Sequence, residues 1–519
     1  MSEIKFGWDY WDYTRQPDIR KIIKKDFNGF SPDGVYPNDS DTLPLFDSNY
    51  QPTNAWHNIY NILQHHYDGY TELGNKDTTE YIKNNETFIY VIATNGGPTL
   101  WCGGDSERNT LFHNIKEHTK EYIRKGKVLV TIDLSFEGFP INGEDKLSIL
   151  DMGKHPNLAE VVHRRAEEEK FPIENIVFLS ANYKDVDYYK NWCKRNKIET
   201  PMNWILLDWC QRAISSDYKH LTDRFEDHFN YKKDNLDKMK HYLCLCRRLK
   251  NSRLFHHLGL NYFNLLDKGS VSCILPRREI SHLFPELNID KSKMEMDHAG
   301  TKTFSDCANL EDYEFNKTLK DNEILDDIAD DFYLRFKHLE VLGRTKYLYK
   351  VRDKYNIRDF LKKLPLTVDR KTHDTLDSFH HWDSKLYKDT MFSYIYETWS
   401  LSNNMVFFSE KIYKAILNFH PFLGMINSDT LKFMERNGYK SFSPFIDESY
   451  DDEGDPDIRS ELLLKEMQRL CEMPINKMLD WYGDQSDILI HNYDVFMNNT
   501  HLEKSTKQFL KIWENINGI

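Results

Sequence analysis

The chain has no surplus of positive charge: 69 Lys and Arg stand against 82 Asp and Glu, a formal net charge of −13 over 519 residues. A protein that coats duplex DNA needs basic groups to displace counterions from phosphates. Wholesale electrostatic DNA binding is therefore disfavoured, while a local basic groove is not. No apolar run reaches the about 18 residues needed to cross a bilayer, so no membrane span is expected. The opening residues, MSEIKFGWDYW, carry no basic-then-apolar signal pattern. Cysteine is sparse and scattered, with eight in all and only Cys244 and Cys246 close together. A lone C-x-C is a weak metal signal, so reduced thiols in a cytoplasmic protein are expected. No internal repeat recurs at a short fixed period.

What is abundant is aromatic: 30 Tyr and 31 Phe, with many Lys, Asn, Ile and Asp, a composition that AT-rich coding produces. The length suggests two or three domains with ample material for cores. Residues 1–80, rich in Asp, Asn, Tyr and Pro, lack sustained periodicity before Trp56–Tyr67 and read as an N-terminal extension or cap. From Phe88 strands and helices alternate. FIYVIAT (88–94), KVLVTIDL (127–134), NIVFLSAN (175–182) and NWILLD (203–208) read as strands, with helices between them. That alternation predicts a parallel α/β sheet over residues 81–235. Ligands of such sheets sit beyond the carboxyl ends of the strands, where Asn95, Asp133, Glu137 and Asn182 fall.

A second α/β domain is expected over residues 236–475. HYLCLC (241–246) is its first strand, followed at once by Arg247, Arg248, Lys250 and Arg253; SVSCIL (270–275) is the next. Residues 277–345 read as a polar insertion. FSYIYET (392–398) is a strand ending at Glu397. The organising stretch is MVFFSEKIYKAILNFHPF (405–422), read as strand, turn, helix, strand. Ser409 is the expected N-cap, and Ile412, Ala415, Ile416 and Phe419 recur at helical spacing. Glu410 and Lys411 fall in the first turn, where free N–H groups and the helix dipole favour an anion. The ordinary alternative is a capped helix with a Glu410–Lys414 pair at i,i+4. The acidic stretch 447–457 reads as a solvated loop, and residues 476–519 as C-terminal helices.

The segment SEKIYKAILNFHPFL, followed by LKFMERNGYKSFSPFIDESYDD, resembles the donor-binding signature of fucosyltransferase-like and exostosin-like glycosyltransferases of the GT-B fold, many of them phage and marine-virus proteins. Ser409, Glu410, Lys411, Lys414, His420, Pro421, Phe422, Gly438, Tyr439, Lys440 and Phe442 carry the likeness. It spans about residues 240–474. The stretch after HYLCLC matches in part, with Cys246 where the family has Asn.

The resemblance implies two Rossmann-like domains facing a cleft, with the C-terminal helices crossing back onto the first. It implies that Glu410 binds the nucleotide ribose and Lys411 the diphosphate. Ser409, Lys414, Arg247, Arg253 and Glu397 complete the expected donor site. The chemistry implied is inverting glycosyl transfer from a nucleotide-diphosphate sugar, with no cofactor and no metal required. An inverting enzyme needs a base on the acceptor hydroxyl. Asp133 and Glu137 are the catalytic candidates, with Asn95 and Asn182 on the acceptor side; strand-end and loop acids that merely cap helices are the alternative.

The acceptor expected is a hydroxymethylated pyrimidine in phage DNA or a surface glycan, with the host cytoplasm as the setting for a viral chain. For the DNA acceptor, Lys184, Lys190, Lys194 and Arg195 with Tyr183, Tyr188, Tyr189 and Trp192 would form a basic strip; a solvated helix face is the alternative. A non-enzymatic virion or sugar-binding protein with a degenerate GT-B fold is the competing reading. Asp39/Asp41 and Asp185/Asp187 form D-x-D pairs that chance supplies in so acidic a chain, and the neighbours His380 and His381 point different ways, so neither marks a metal site.

Overall fold

Buried apolar runs fix the architecture. In the computed structural model they form two sheets whose strand pairs are all parallel, each in its own compact unit. The structure describes residues 4–8, 73–93, 111–112, 115–135, 157–208, 210–211, 223–249, 251–276, 315–317, 322–341, 351–366, 368, 384–397, 403–498 and 500–518. The first unit takes residues 1–212, 404–407 and 499–519; the second takes 213–403 and 408–498.

The first unit runs β1 (Ile4–Trp8), β2 (Leu73–Asp77), α1 (Thr78–Lys83), β3 (Phe88–Ala93), α2 (Glu117–Arg124), β4 (Val128–Leu134), α3 (Leu158–Glu169), β5 (Ile176–Ser180), α4 (Asp185–Asn196) and β6 (Asn203–Leu206). Its sheet order is β2-β1-β3-β4-β5-β6. Side chains alternate across a strand, and β4 shows the result. Val128, Val130, Ile132 and Leu134 enter a core with Tyr81, Ile123, Val162 and Tyr189 of α1–α4. Leu129 enters a separate core with Ile89, Val177, Leu179 and Ile205, closed by Phe509, Leu510 and Trp513 of the C-terminal helix Thr500–Asn517. The preceding helix stays with the second unit.

Two expectations change here. β1 and β2 are strands of this sheet, not part of an extension. IKFGW alternates apolar and polar residues over only five positions and LGNKD has a single apolar residue, so pairing with β3 and with each other carries what their length and side chains do not announce. The first boundary falls at residue 212, not 235, because the helix Phe225–Asp234 belongs with the second core.

That unit continues with α5 (Phe225–Asp234), β7 (Lys240–Arg248), α6 (Asn251–Tyr262), β8 (Gly269–Ile274), α7 (Asn322–Val341), α8 (Lys354–Lys362), α9 (Ser384–Lys388) and β9 (Thr390–Tyr396). Then come α10 (Glu410–Leu417), β10 (Phe422–Met425), α11 (Thr430–Arg436), α12 (Pro456–Glu472), α13 (Ile475–Gly483) and α14 (Ser486–Asn498). Its sheet order is β10-β9-β7-β8. Helix α7 lies inside the stretch expected to be a polar insertion, and Leu325, Ile328, Ala329 and Phe332 are its buried face.

The residues Met405–Phe408 are buried but form no strand. Their backbone is spent elsewhere: Val406 N–H donates to Asn182 Oδ1 at 2.9 Å, and Val406 O accepts from Tyr183 N–H at 2.9 Å. The apolar run thus pairs with the turn after β5 and not with a sheet edge.

Candidate functional site

The second sheet reverses its strand order between β7 and β9. From β7 the chain goes to β8 on one side, then returns to β9 and β10 on the other. In open parallel sheets the crevice outside the carboxyl ends at such a reversal is where ligands bind. Here the residues at that point are Arg253, in the first turn of α6, and Glu397, directly after β9. Arg253 Nη2 donates to the Glu397 carbonyl at 3.4 Å, tying the two elements together.

Helix α10 starts at the same place. Ser409 is its N-cap, in extended conformation, with Oγ accepting from Lys411 N–H at 3.2 Å. Ser409 N–H in turn donates to Glu397 Oε1 at 3.2 Å. Lys411 Nζ donates to Glu410 Oε1 at 2.5 Å and to Ser409 Oγ at 3.4 Å. Glu410 and Lys411 keep about a fifth of their side-chain surface in solvent, 19% and 23%, whereas Glu397 is 2% exposed. Lys414, one turn on, is buried.

Charge follows from this geometry. Burial raises the Glu397 carboxyl above its usual range; Lys411 opposes the rise and Glu410 adds to it. Burial also pulls Glu410 upward, but the charge and hydrogen bond of Lys411, helped by Lys414, hold it below normal. Lys411 is pulled down by burial and carried above normal by Glu410 and Glu397. A helix start, two cations and two carboxylates at one sheet edge can take a ligand that combines an anionic group with hydrogen-bond donors.

The rest of the signature serves the opposite edge. His420 is fully buried where β9 and β10 begin. Its Nδ1 meets Ser393 Oγ at 2.9 Å, and its Nε2 lies 2.7 Å from Tyr387 O and 2.8 Å from Thr390 O. Lys232 of α5, equally buried, donates to the same two carbonyls. This half of the motif is structural.

In the first unit Asp133 is buried at the end of β4, with Oδ1 accepting from Ser135 N–H at 3.0 Å and Ser135 Oγ–H at 2.6 Å. Asn182 is fully engaged. Its Nδ2 donates to Asp185 Oδ1 at 2.8 Å and to Asn404 O at 3.1 Å, and its Oδ1 accepts from Lys184 N–H and Val406 N–H. An amide has two donors and two lone pairs, so none is left for an acceptor ligand. Asn95, Glu137, Asp39, Asp41, His380, His381 and the side chain of Arg247 lie outside the described residues. The basic strip shrinks: Tyr183, Lys184 and Tyr189 are buried, leaving Lys190, Lys194 and Arg195 exposed on α4.

No family model, curated protein or solved structure matches this chain. Among the described residues no helix is long and apolar enough to cross a membrane, and no group of three His, Cys, Asp or Glu side chains is arranged to hold a metal ion.

Two features escaped the sequence reading. Arg459, fully buried in α12, donates to the carbonyls of Ile426 and Glu453 and to Asn403 Oδ1, fixing the loop that leaves β10. The acidic stretch, expected to be solvated, buries Tyr450 and Asp451; Asp451 accepts from Leu431 N–H and Lys432 N–H at 3.1–3.3 Å. Beside it lies a cavity of about 540 Å³ lined in part by Lys432, Glu435, Ser443, Asp447, Glu448 and Arg469.

Proposed function

We propose that the second unit binds a nucleotide-diphosphate sugar at the start of α10, and that the chain is a metal-independent glycosyltransferase of GT-B architecture. The observation that carries this reading is the convergence of Arg253, Glu397, Ser409, Glu410 and Lys411 at the reversal point of a parallel sheet. As the glycosidic bond breaks, the leaving diphosphate gains negative charge. Lys411, Arg253 and the helix start would stabilise it. Glu410, held ionised by Lys411, is the acceptor for the ribose hydroxyls. Transfer proceeds with inversion, with Asp133 or Glu137 as base, to a hydroxymethylated pyrimidine in DNA or to a glycan hydroxyl.

One observation favours a binding-only protein instead: the amide of Asn182, expected on the acceptor side, is fully engaged. Two measurements separate the readings. Melting of the full chain with UDP, GDP, CDP and ADP tests binding. At about 100 times Kd a ligand adds ~2.7 kcal/mol, a shift of a few degrees. Glu410→Ala and Lys411→Ala should each abolish that shift, and full retention in both removes the site assignment. Mass analysis of nucleosides from hydroxymethylcytosine DNA incubated with nucleotide sugars tests transfer. A hexose or pentose gain supports the DNA acceptor, and nucleotide binding without transfer to DNA or glycan supports the binding-only reading.

A further inference from the structure

Glu397 stands apart from its neighbours in the site. Its Oε1 accepts from Ser409 N–H at 3.2 Å, while Oε2 is buried with no hydrogen-bond partner. The charged groups acting on its carboxyl are Glu410 and Lys411 of α10, while Arg253 of α6 bonds its backbone carbonyl; His257, whose Nδ1 lies 2.9 Å from the Arg253 carbonyl, is kept neutral by burial, with a pKa of about 4. Lys411 is the shared countercharge of Glu397 and Glu410.

A diphosphate would draw on that same ammonium and bring at least two negative charges of its own. Two carboxylates and a diphosphate cannot all stay ionised around Lys411 and Arg253, with Lys414 one turn away, at little cost. The group that yields is the one with the least solvent and the fewest bonds. Glu410 retains Lys411 at 2.5 Å and a fifth of its surface in water, whereas Glu397 is 2% exposed and half unpaired. We propose that an anionic ligand and a proton enter this site together, the proton going to Glu397 Oε2. The proton comes from solvent, an O–H bond forms on Oε2, the carboxylate goes from −1 to neutral, and no bond of the ligand breaks. The inference rests on the nucleotide-diphosphate reading of the site. Burial already biases Glu397 toward its neutral form before any ligand arrives.

The test is titration calorimetry of the full chain with UDP, GDP, CDP, ADP and inorganic pyrophosphate, in buffers of different ionisation heat between pH 7 and 9. Binding should take up close to one proton, and Kd should weaken up to tenfold per pH unit. Glu397→Gln should bind with that uptake removed; the variant also subtracts any proton carried by the ligand's own phosphate. Uptake that persists unchanged in the variant, or wild-type binding that is independent of buffer and pH, overturns the proposal while leaving the nucleotide site standing. Failure of all five ligands to bind overturns the site reading and this inference with it. Even if Glu397→Gln does not fold, wild-type binding without dependence on buffer or pH still overturns the proposal.

Discussion

His256 has its proton placed by a serine. Ser460 Oγ donates to Pro456 O at 2.7 Å, so toward His256 Nε2, 3.0 Å away, it accepts. Nε2 therefore carries the hydrogen and Nδ1 accepts from Tyr394 O–H at 2.8 Å. A second proton, on Nδ1, would force the Tyr394 hydroxyl to turn and accept, leaving its own hydrogen to find another partner in the core. Burial depresses His256 and His228 to a pKa of about 3, against an ordinary 6.5. A depressed histidine contributes stability that is complete above about pH 6.5 and is lost as pH falls toward 3. Asp451 has the opposite sign. Burial raises it from 3.8 to about 6, so its contribution fades as pH rises from about 4 to 6. At roughly 1.4 kcal/mol per pKa unit, each histidine outweighs the aspartate. The urea midpoint should therefore fall between pH 7 and 5. His256→Leu, which strands Tyr394 O–H and Ser460 Oγ, should lower stability by about 2–3 kcal/mol at pH 7 and show a flatter pH profile. Parallel profiles for the two proteins would contradict this. None of it was visible in the sequence, because Tyr394 and Ser460 stand 138 and 204 residues from their histidine. Arg459 was missed for the same physical reason; Asn182 was marked in the sequence, but its partners Asn404 and Val406, 222 and 224 residues on, were not.

At the scale of elements, the register of β9 against β10 holds the site in place. Glu397 N–H donates to Met425 O at 3.1 Å, so the end of β9 is aligned by the end of β10. Gly424 makes that pairing possible: a Cβ there would come within 2.2 Å of Ile395 O, a backbone atom that cannot turn aside. Gly424→Ala should cost roughly 1–3 kcal/mol and displace Glu397. The expected outcome is a lower melting temperature together with weaker nucleotide binding; wild-type affinity in the variant would show the register to be irrelevant to the site. Elements were legible where local chemistry sufficed. Ser409 before Ile412, Ala415 and Ile416 announces α10, and the run VLVTI (Val128–Ile132), rich in β-branched residues, announces β4. β1 carries the alternation Ile4, Phe6, Trp8 over five residues only, and its partner β2, with Leu73 as its one apolar residue, does not announce itself. Met405–Phe408 misled because apolar and extended is also how a buried crossing segment looks.

For the molecule as a whole, the chain ends where its first sheet needs cover. The face carrying Ile89, Leu129, Val177, Leu179 and Ile205 is closed by Phe509, Leu510 and Trp513. Burying three such side chains contributes about 5–9 kcal/mol, comparable with the whole stability of an ordinary domain. Truncation after Asn498 should therefore make residues 73–208 sensitive to limited proteolysis. A truncated chain as protease-resistant as the full one would show the helix to be dispensable. This pairing joins residues from about three hundred to more than four hundred positions apart, and only the family resemblance pointed to it.

The run from Ser409 to Phe422 crosses the second sheet from the carboxyl ends of its strands to their starts. Relatives of this chain could vary the partly exposed Glu410 and Lys411 and keep the fold, yet would still need His420 to anchor the start of β9. The two ends of one short motif would then drift at different rates.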